Sequence, residues 1–235
     1  MNQIILEKEF SHFNGYSQER YSLLLKHSEL VEEANKTTNI TRITGFEEAM
    51  YLHVYDSLLG LEALHEADQG CFADLGSGAG YPGIPLSVFS GRECILIDSS
   101  KKKIEILKGF ISEMELENQV STLSMRAEEA AVNHAGAFTA VCSRAVGSLA
   151  ALMELAVPLL SLNGLLIAYK GPDYAKEVDT ALTIQQMLGI EITEVREYLI
   201  PFNDSKRAII ISQKLGEPTI ALPRANGRAQ RRPLA

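Results

Sequence analysis

The sequence predicts an α/β protein: a seven-stranded, mostly parallel, doubly wound sheet with one antiparallel edge strand, preceded by an N-terminal helical cap. Three observations carry this prediction. From Cys71 onward, short apolar runs alternate with longer amphipathic stretches, the rhythm of strand and crossover helix. Before Cys71 that alternation is missing, and apolar residues recur at helical spacing. Only Pro201 to Lys206, PFNDSK, separates the last two apolar runs, which is too short for a helical crossover, so they should pair antiparallel at the sheet edge.

Taken in order, Tyr16 to Ala34 carries Tyr21, Leu24, Leu25, Ser28 and Val31 at helical spacing. Phe46 to Leu64 continues with Ala49, Met50, His53, Val54, Leu58 and Leu61. Strands are expected at CFADL, CILID, VSTLSM, FTAVCS, GLLIAYK, ITEVREYLI and RAIIISQ, and helices over Lys101 to Leu116 and Ser148 to Leu160. Three segments follow: a helical cap over residues 1–66, the sheet domain over 67–217 and a tail over 218–235.

Composition narrows the class. With 235 residues, 46% of them hydrophobic, the chain can bury a sizeable core. No apolar run approaches the ~20 residues needed to span a bilayer. The opening MNQIILEKEFSHF lacks the basic start and small-residue cleavage site of a secretory leader, so a cytoplasmic protein without a membrane partner is expected. Cys71, Cys94 and Cys142 are odd in number, far apart and each set in a strand-like run, which reads as buried free thiols. The five histidines form no Cys/His cluster, so no metal is expected. The first 217 residues hold 18 of the 22 basic and all 30 acidic residues, a net of −12, whereas the tail carries Arg224, Arg228, Arg231 and Arg232 and no acid. Such a tail is either a solvated terminus or a flexible arm that contacts nucleic-acid phosphates.

The densest signal is FADLGSGAGYPGIPL, Phe72 to Leu86. In a dinucleotide fingerprint, GxGxxG, the third glycine would fall on Tyr81; the spacing here is GxGxG, at Gly76, Gly78 and Gly80. A glycine-rich turn of this kind lets backbone approach an adenosyl group closely without cradling a phosphate, and it also fits a plain tight turn. Asp74 precedes it and can reach the ammonium of a methionine moiety. Asp98 ends the second strand, where a carboxylate can accept both ribose hydroxyls or cap the following helix. After the third strand, Arg126-Ala127-Glu128 offers a backbone amide and a side chain to bracket an adenine. A parallel sheet closed by an antiparallel hairpin favours the methyltransferase arrangement over the six-stranded dinucleotide fold.

The segments NITRIT at Asn39, HVYDS at His53, DLGSGAGYPGIPL at Asp74, LIDSSKKK at Leu96, MRAEE at Met125, CSRAVGSL at Cys142, YKG at Tyr169 and LPRANGRAQRRPL at Leu222 resemble the RsmG, or GidB, family. The resemblance runs through nearly the whole chain from Asn39. It implies a Rossmann-like class I S-adenosylmethionine-dependent methyltransferase that modifies a guanine N7 of small-subunit ribosomal RNA in bacteria, with the RNA or the ribosomal subunit as partner. A monomer is the expected state, although neither the sequence nor the resemblance decides it. The resemblance places cofactor contacts on Gly76, Tyr81, Ala127, Glu128 and Arg144. Tyr81 stands where the family usually has Leu or Phe, and the tail's RANGRAQRRP departs from its relatives.

Chemistry gives a second view of the substrate. The Asn/Asp-Pro-Pro-aromatic motif of exocyclic amine methylation is missing after the fourth strand, where Ser143-Arg144-Ala145 stands, and no cysteine follows a proline as cytosine C5 chemistry commonly needs. Guanine N7 has a free lone pair and no proton, so its methylation needs in-line positioning and no general base. Positioning candidates are Arg144, Lys170 at the end of the fifth strand, and His53 with Asp56, three apart on one helix. Lys101, Lys102 and Lys103 open a helix, an unfavourable place for positive charge, which hints at phosphate contact. They join the tail arginines as RNA-binding candidates. The predicted adenosyl site uses none of the tail residues. Two rival readings are an NAD-dependent oxidoreductase and an RNA-binding protein that keeps the fold without activity; the intact loop argues against the second.

Overall fold

The computed structural model describes residues 3–235, so Met1 and Asn2 of the predicted cap lie outside the described residues. Helix α1 spans Gln3–Phe10 and α2 spans Gln18–Asn35. Ser17 starts α2 by accepting from the Arg20 amide at 3.2 Å, and the helix buries Tyr21, Leu24, His27, Ser28 and Val31, one stripe at i, i+3, i+4 spacing.

The single helix expected over Phe46 to Leu64 is broken into pieces: α3 (Phe46–Ala49), a π-helical turn (Met50–Tyr55), α4 (Asp56–Leu58) and α5 (Leu61–Glu66). The break has a local cause. The Tyr169 hydroxyl donates to the Ser57 carbonyl at 2.5 Å, and a Cβ on Gly60 would lie 2.1 Å from that hydroxyl, so the helix yields where the sheet presses closest. The π turn re-aims one face of the segment, a feature common at functional sites.

From Phe72 the chain alternates as expected: β1 (Phe72–Leu75), α6 (Gly83–Ser90), β2 (Cys94–Asp98), α7 (Lys101–Glu113), β3 (Val120–Ser124), α8 (Ala127–Asn133), β4 (Phe138–Arg144), α9 (Leu149–Ala156) and β5 (Leu160–Lys170). Then come α10 (Tyr174–Leu182), α11 (Gln185–Leu188), β6 (Ile190–Ile200), β7 (Ser205–Lys214) and a short α12 (Arg228–Arg231).

The sheet order is β3-β2-β1-β4-β5-β7-β6. Every pairing is parallel except the two that β7 makes. The antiparallel strand expected on the edge therefore lies one place in, with β6 outside it. Burial explains the order: Ala208 to Ile211 of β7 is a continuous buried run that suits an inner strand, while most of β6 is only partly covered.

The sheet carries one apolar layer on each face, and strand alternation sorts residues between them. Phe72, Leu96, Ala140 and Cys142 join the layer built with the N-terminal helices, α6 and α7. Ala73, Leu75, Ile97 and Val141 join the layer built with α8 to α11. Cys94 and Cys142 are buried free thiols as expected, whereas Cys71, just before β1, is free but only partly covered; burial raises all three thiol pKa values, that of Cys71 to about 11. Among the described residues no helix is long and apolar enough to cross a membrane.

Candidate functional site

Strand order reverses between β1 and β4, and there, outside the carboxyl ends of the strands, a cleft opens. It consists of a cavity of about 680 Å³ and a smaller one of about 270 Å³, both walled in part by Gly76, Lys103 and Ala145. The larger one also touches Gly78, Tyr81, His53, Asp56, Arg144 and Lys170, and the smaller one Asp98, Ala127 and Glu128. Most of the residues expected to hold a cofactor thus line one continuous cleft.

The loop between β1 and α6 is fixed by its own hydrogen bonds. Gly76, Gly78 and Gly80 all have positive φ, at +78°, +57° and +91°, which L side chains adopt at a cost. The Gly76 amide donates to the Ile97 carbonyl at 2.8 Å, and the Gly78 amide to Asp98 Oδ2 at 3.0 Å. Asp98 Oδ1 also accepts from the Ser100 amide at 2.8 Å, while Ser100 itself caps α7, so Asp98 ties the loop to the helix start. Asp98 still lines the wall of the smaller cavity.

Two expected cofactor residues are not on the walls. Asp74 is fully buried, and its Oδ2 accepts from the Gly83 amide at 2.9 Å in the first turn of α6. Its Oδ1 has no hydrogen-bond partner, and burial pushes its carboxyl up to about 7. The alternation of β1 carries the signal: Asp74 shares a face with Phe72, the face that α6 covers. Gly80 packs beneath the loop, beside Ile84 and His27. A consequence follows for the ligand. The helix N-terminus on which a dinucleotide would rest its pyrophosphate is already filled by the carboxyl of Asp74.

On the side of the larger cavity, Tyr81 lies between two imidazoles, 4.7 Å from His53 and 4.5 Å from His27 between ring centroids, with the Arg144 guanidinium 5.5 Å from its own ring centre. Arg144 falls on the same face of β4 as Cys142, toward the π turn. Its Nη1 donates to Asp56 Oδ2 at 2.7 Å and to the Leu52 carbonyl at 3.2 Å, and its Nη2 donates to His53 Nδ1 at 3.1 Å. A guanidinium can only donate, so His53 Nδ1 accepts and its proton sits on Nε2, which donates to Thr41 Oγ1 at 2.7 Å. His53 and Asp56 are thus joined through Arg144. Lys170 is committed as well: its Nζ donates to the Gly147 carbonyl at 2.6 Å and pairs with Glu177 at 2.7 Å, and that carboxylate also accepts the first amide of α9.

Arg207 and Gln230, which the sequence did not single out, complete the walls. The Arg207 Nε lies 3.3 Å from Asp56 Oδ1, so one buried carboxylate sits between two guanidiniums. Lys103 belongs to the cleft, 4.0 Å from Asp98 Oδ2, whereas Lys101 and Lys102 are exposed on the outer side of α7.

The tail corrects two expectations. It is no free arm: Arg224 forms a fork on Glu154 at 2.6 and 2.5 Å, and α12 packs with Ala229 buried. Nor is it separate from the residues predicted for the adenosyl site, because Gln230 lines the smaller cavity with Asp98, Ala127 and Glu128, and the Gly227 amide donates to Glu128 Oε1 at 2.6 Å. The physical reason is that an acid buried on α9 demands a partner, which the tail supplies. Arg228 and Arg232 remain exposed, and Arg231 turns back onto the Gly227 and Asn226 carbonyls.

The buried histidines give the site a pH signature. Burial holds His27 down to about 4, and burial with Arg144 nearby holds His53 to about 3. Between those values and the ordinary 6.5, the unfolded chain binds two protons that the fold excludes, so stability falls as pH drops below 6.5. Asp74 works in the opposite sense, since the fold keeps a proton up to about pH 7 that the unfolded chain releases. The difference leaves roughly one proton, a loss of about 1.4 kcal/mol per pH unit on acidification. Urea unfolding across that span checks it; level stability would mean that one of the rings is protonated in the fold.

A family model now fits what the geometry describes: that of GidB, rRNA small subunit methyltransferase G, matches residues 20–207. The chain belongs to this family. Among its relatives, Ribosomal RNA small subunit methyltransferase G of Alkaliphilus metalliredigens is 32% identical over 214 residues, 90% of this chain and 89% of that one. The protein of the same name from Pelotomaculum thermopropionicum is 33% identical over 237 residues, 100% of this chain and 94% of the relative. A solved geranyl diphosphate methyltransferase in complex with SAM shares the fold at a TM-score of 0.54, with 9% identity over 69% of this chain and 85% of that one. The activity of the GidB family chain described here is methyl transfer from S-adenosylmethionine to guanine N7 of small-subunit ribosomal RNA. Among the described residues no cluster of three or more His, Cys, Asp or Glu is placed to hold a metal.

Proposed function

We propose that the cleft performs this transfer by positioning alone, with the nucleoside of the cofactor in the smaller cavity and the target guanine entering the larger one. The residues present fit an adenosyl group: the loop backbone is open at Gly78, where an added Cβ would meet nothing closer than 3.9 Å, and Asp98 lines the smaller cavity beside Gly76, which both cavities share. Asp98 would hold the ribose, Ala127 and Glu128 the adenine, and Gly76, Gly78 and Tyr81 the amino-acid end. When bound, S-adenosylmethionine supplies an electrophilic methyl group on a sulfonium.

The single observation that carries the mechanism is the state of His53. Its one lone pair accepts from Arg144, so no free base faces the larger cavity from this ring. Guanine N7 has no proton to lose, so the chain's task is to orient and to exclude water. Arg144, locked by Asp56 and two backbone carbonyls, presents a rigid planar cation beside Tyr81, suited to orienting the methionine carboxylate or the guanine. The exposed Lys101, Lys102, Arg228 and Arg232 then supply phosphate contacts that an otherwise acidic surface lacks. In this reading residues 1–66 act as a cap over the cleft, 67–217 as the catalytic domain and 218–235 as an ordered tail, and the protein works in the cytoplasm as a monomer on ribosomal RNA or a ribosomal subunit.

Calorimetry should show S-adenosylhomocysteine binding and no binding of NAD. At ligand a hundredfold above Kd the fold should gain about 2.7 kcal/mol. A nucleotide-resolution map of N7-methylguanine in ribosomal RNA from cells with and without the protein should differ at one position. NAD binding with no binding of S-adenosylhomocysteine would overturn the assignment of the cleft.

A further inference from the structure

The C-terminal segment reaches the smaller cavity through Gln230 and is tied down on three elements that wall it. Gly227 donates to Glu128 at 2.6 Å and Asn226 to Glu129 at 2.7 Å, both in the first turn of α8. Gln230 Nε2 donates to the Val146 carbonyl at 2.8 Å, in the loop after β4. Arg224 forks onto Glu154 of α9, whose side chain is only 3% exposed, and also donates to the Arg232 carbonyl at 2.9 Å, which closes the segment on itself. Gly227 takes φ +71°, the left-handed conformation that turns its amide toward Glu128.

These contacts fall on the adenine end of the cleft. Gln230 shares the cavity with Met125, Ala127, Val146 and Leu155, and no other segment beyond residue 155 contributes to it. Without the tail, Glu128 would lose the donor that fixes one of its oxygens, the Val146 carbonyl would lose its side-chain partner, and the cavity would open to water. A preorganised wall raises affinity by sparing the ordering cost at binding.

We propose that residues 224–232 are a working wall of the cofactor site, with Gln230 as a positioning residue for the nucleoside and Arg224–Glu154 as the clasp that holds the wall in place. The proposal rests on the methyltransferase reading of the cleft and deepens it. The tail that looked like a separate RNA-binding arm is part of the adenosyl site, and the ordinary chemistry of a purine explains the residue type. After its amide group is spent on Val146, Gln230 keeps an acceptor oxygen, which matches the exocyclic amine of adenine.

The test compares wild type, Gln230→Ala and a chain ending at Pro223, by titration calorimetry with S-adenosylhomocysteine and by thermal unfolding without ligand. Gln230→Ala should weaken S-adenosylhomocysteine about five- to tenfold while the ligand-free Tm stays put, and in turnover it should raise the KM for S-adenosylmethionine more than it lowers kcat. The truncated chain should weaken binding by more than tenfold. An S-inosyl analogue, which replaces the amine with a carbonyl, should bind Gln230→Ala and wild type alike. If both variants bind S-adenosylhomocysteine as wild type does, the tail merely lies over the cavity and the proposal falls. If the truncated chain does not fold, Gln230→Ala decides alone, since its side chain is exposed and anchors no core. Failure of the wild-type protein to bind S-adenosylhomocysteine is a separate outcome, which would sink the cofactor assignment itself.

Discussion

Asp56→Ala should cost on the order of 3 kcal/mol of stability and most of the activity, because it leaves two guanidiniums facing each other across a buried space. The Asp56 carboxylate is 4% exposed, and its two oxygens lie 2.7 Å from Arg144 and 3.3 Å from Arg207. Arg144 would keep the Leu52 and His53 carbonyls, so it would stay near its place, but with its charge unbalanced and its fork free to turn. The same loss would loosen His53, whose tautomer depends on the Arg144 donor. Asp56→Asn, which keeps an acceptor and removes the charge, should cost less, about 1.5 to 3 kcal/mol. Chemical denaturation of both variants beside wild type reads these values. A cost below about 1 kcal/mol for Asp56→Ala would put the bridge in the class of surface pairs, and the cleft would not depend on it.

This ion cluster also marks where the sequence stops being legible. The seven strands could be read because each is a short apolar run with its own boundary, and a period of two or 3.6 is a local property. Gly76, Gly78 and Asp98 could be read because they sit at strand ends, where a doubly wound sheet collects its ligand contacts. Arg207 could not: in RAIIISQ it is one cation at the mouth of a strand, and only the inward placing of β7 beside β5 brings it to the cleft. Arg224 is similar, since nothing near it in sequence shows that Glu154 is buried and waiting on α9. Asp74 is the instructive case. Its position before the glycines suggested a ligand contact, yet the pleat of β1 already assigned it to the face under α6, so alternation was the better guide. The π turn at Met50–Tyr55 has no pattern of its own, and the neighbouring break at Gly60 sits against Tyr169, a contact between segments more than a hundred residues apart.

Gly76→Ala should abolish measurable cofactor binding at concentrations that saturate wild type, and it should do so for two separable reasons. The first is conformational: φ at residue 76 is +78°, and holding an L residue in that region costs roughly 1 to 2 kcal/mol. The second is steric, since the new Cβ would lie 2.2 Å from Val146 Cγ2. Val146 is only partly buried, so what limits its yielding is its own stiffness and its anchored carbonyl. Its β-branched side chain is stiff at χ1, and its carbonyl is held by Gln230, so relief of the clash moves the loop after β4, which carries Ala145 and the wall shared by both cavities. The double variant Gly76→Ala with Val146→Ala separates the two causes. It should recover the steric part of the lost stability and leave a deficit of about 1 to 2 kcal/mol from the backbone alone. Cofactor affinity should return only in part, because Val146 itself lines the smaller cavity, the one proposed for the nucleoside. Calorimetry on the two single variants and the double variant closes the cycle. Additive losses would mean that residues 76 and 146 do not touch, contrary to the geometry, whereas a double variant more stable than Gly76→Ala requires that the glycine is there to let the two loops meet over the cofactor.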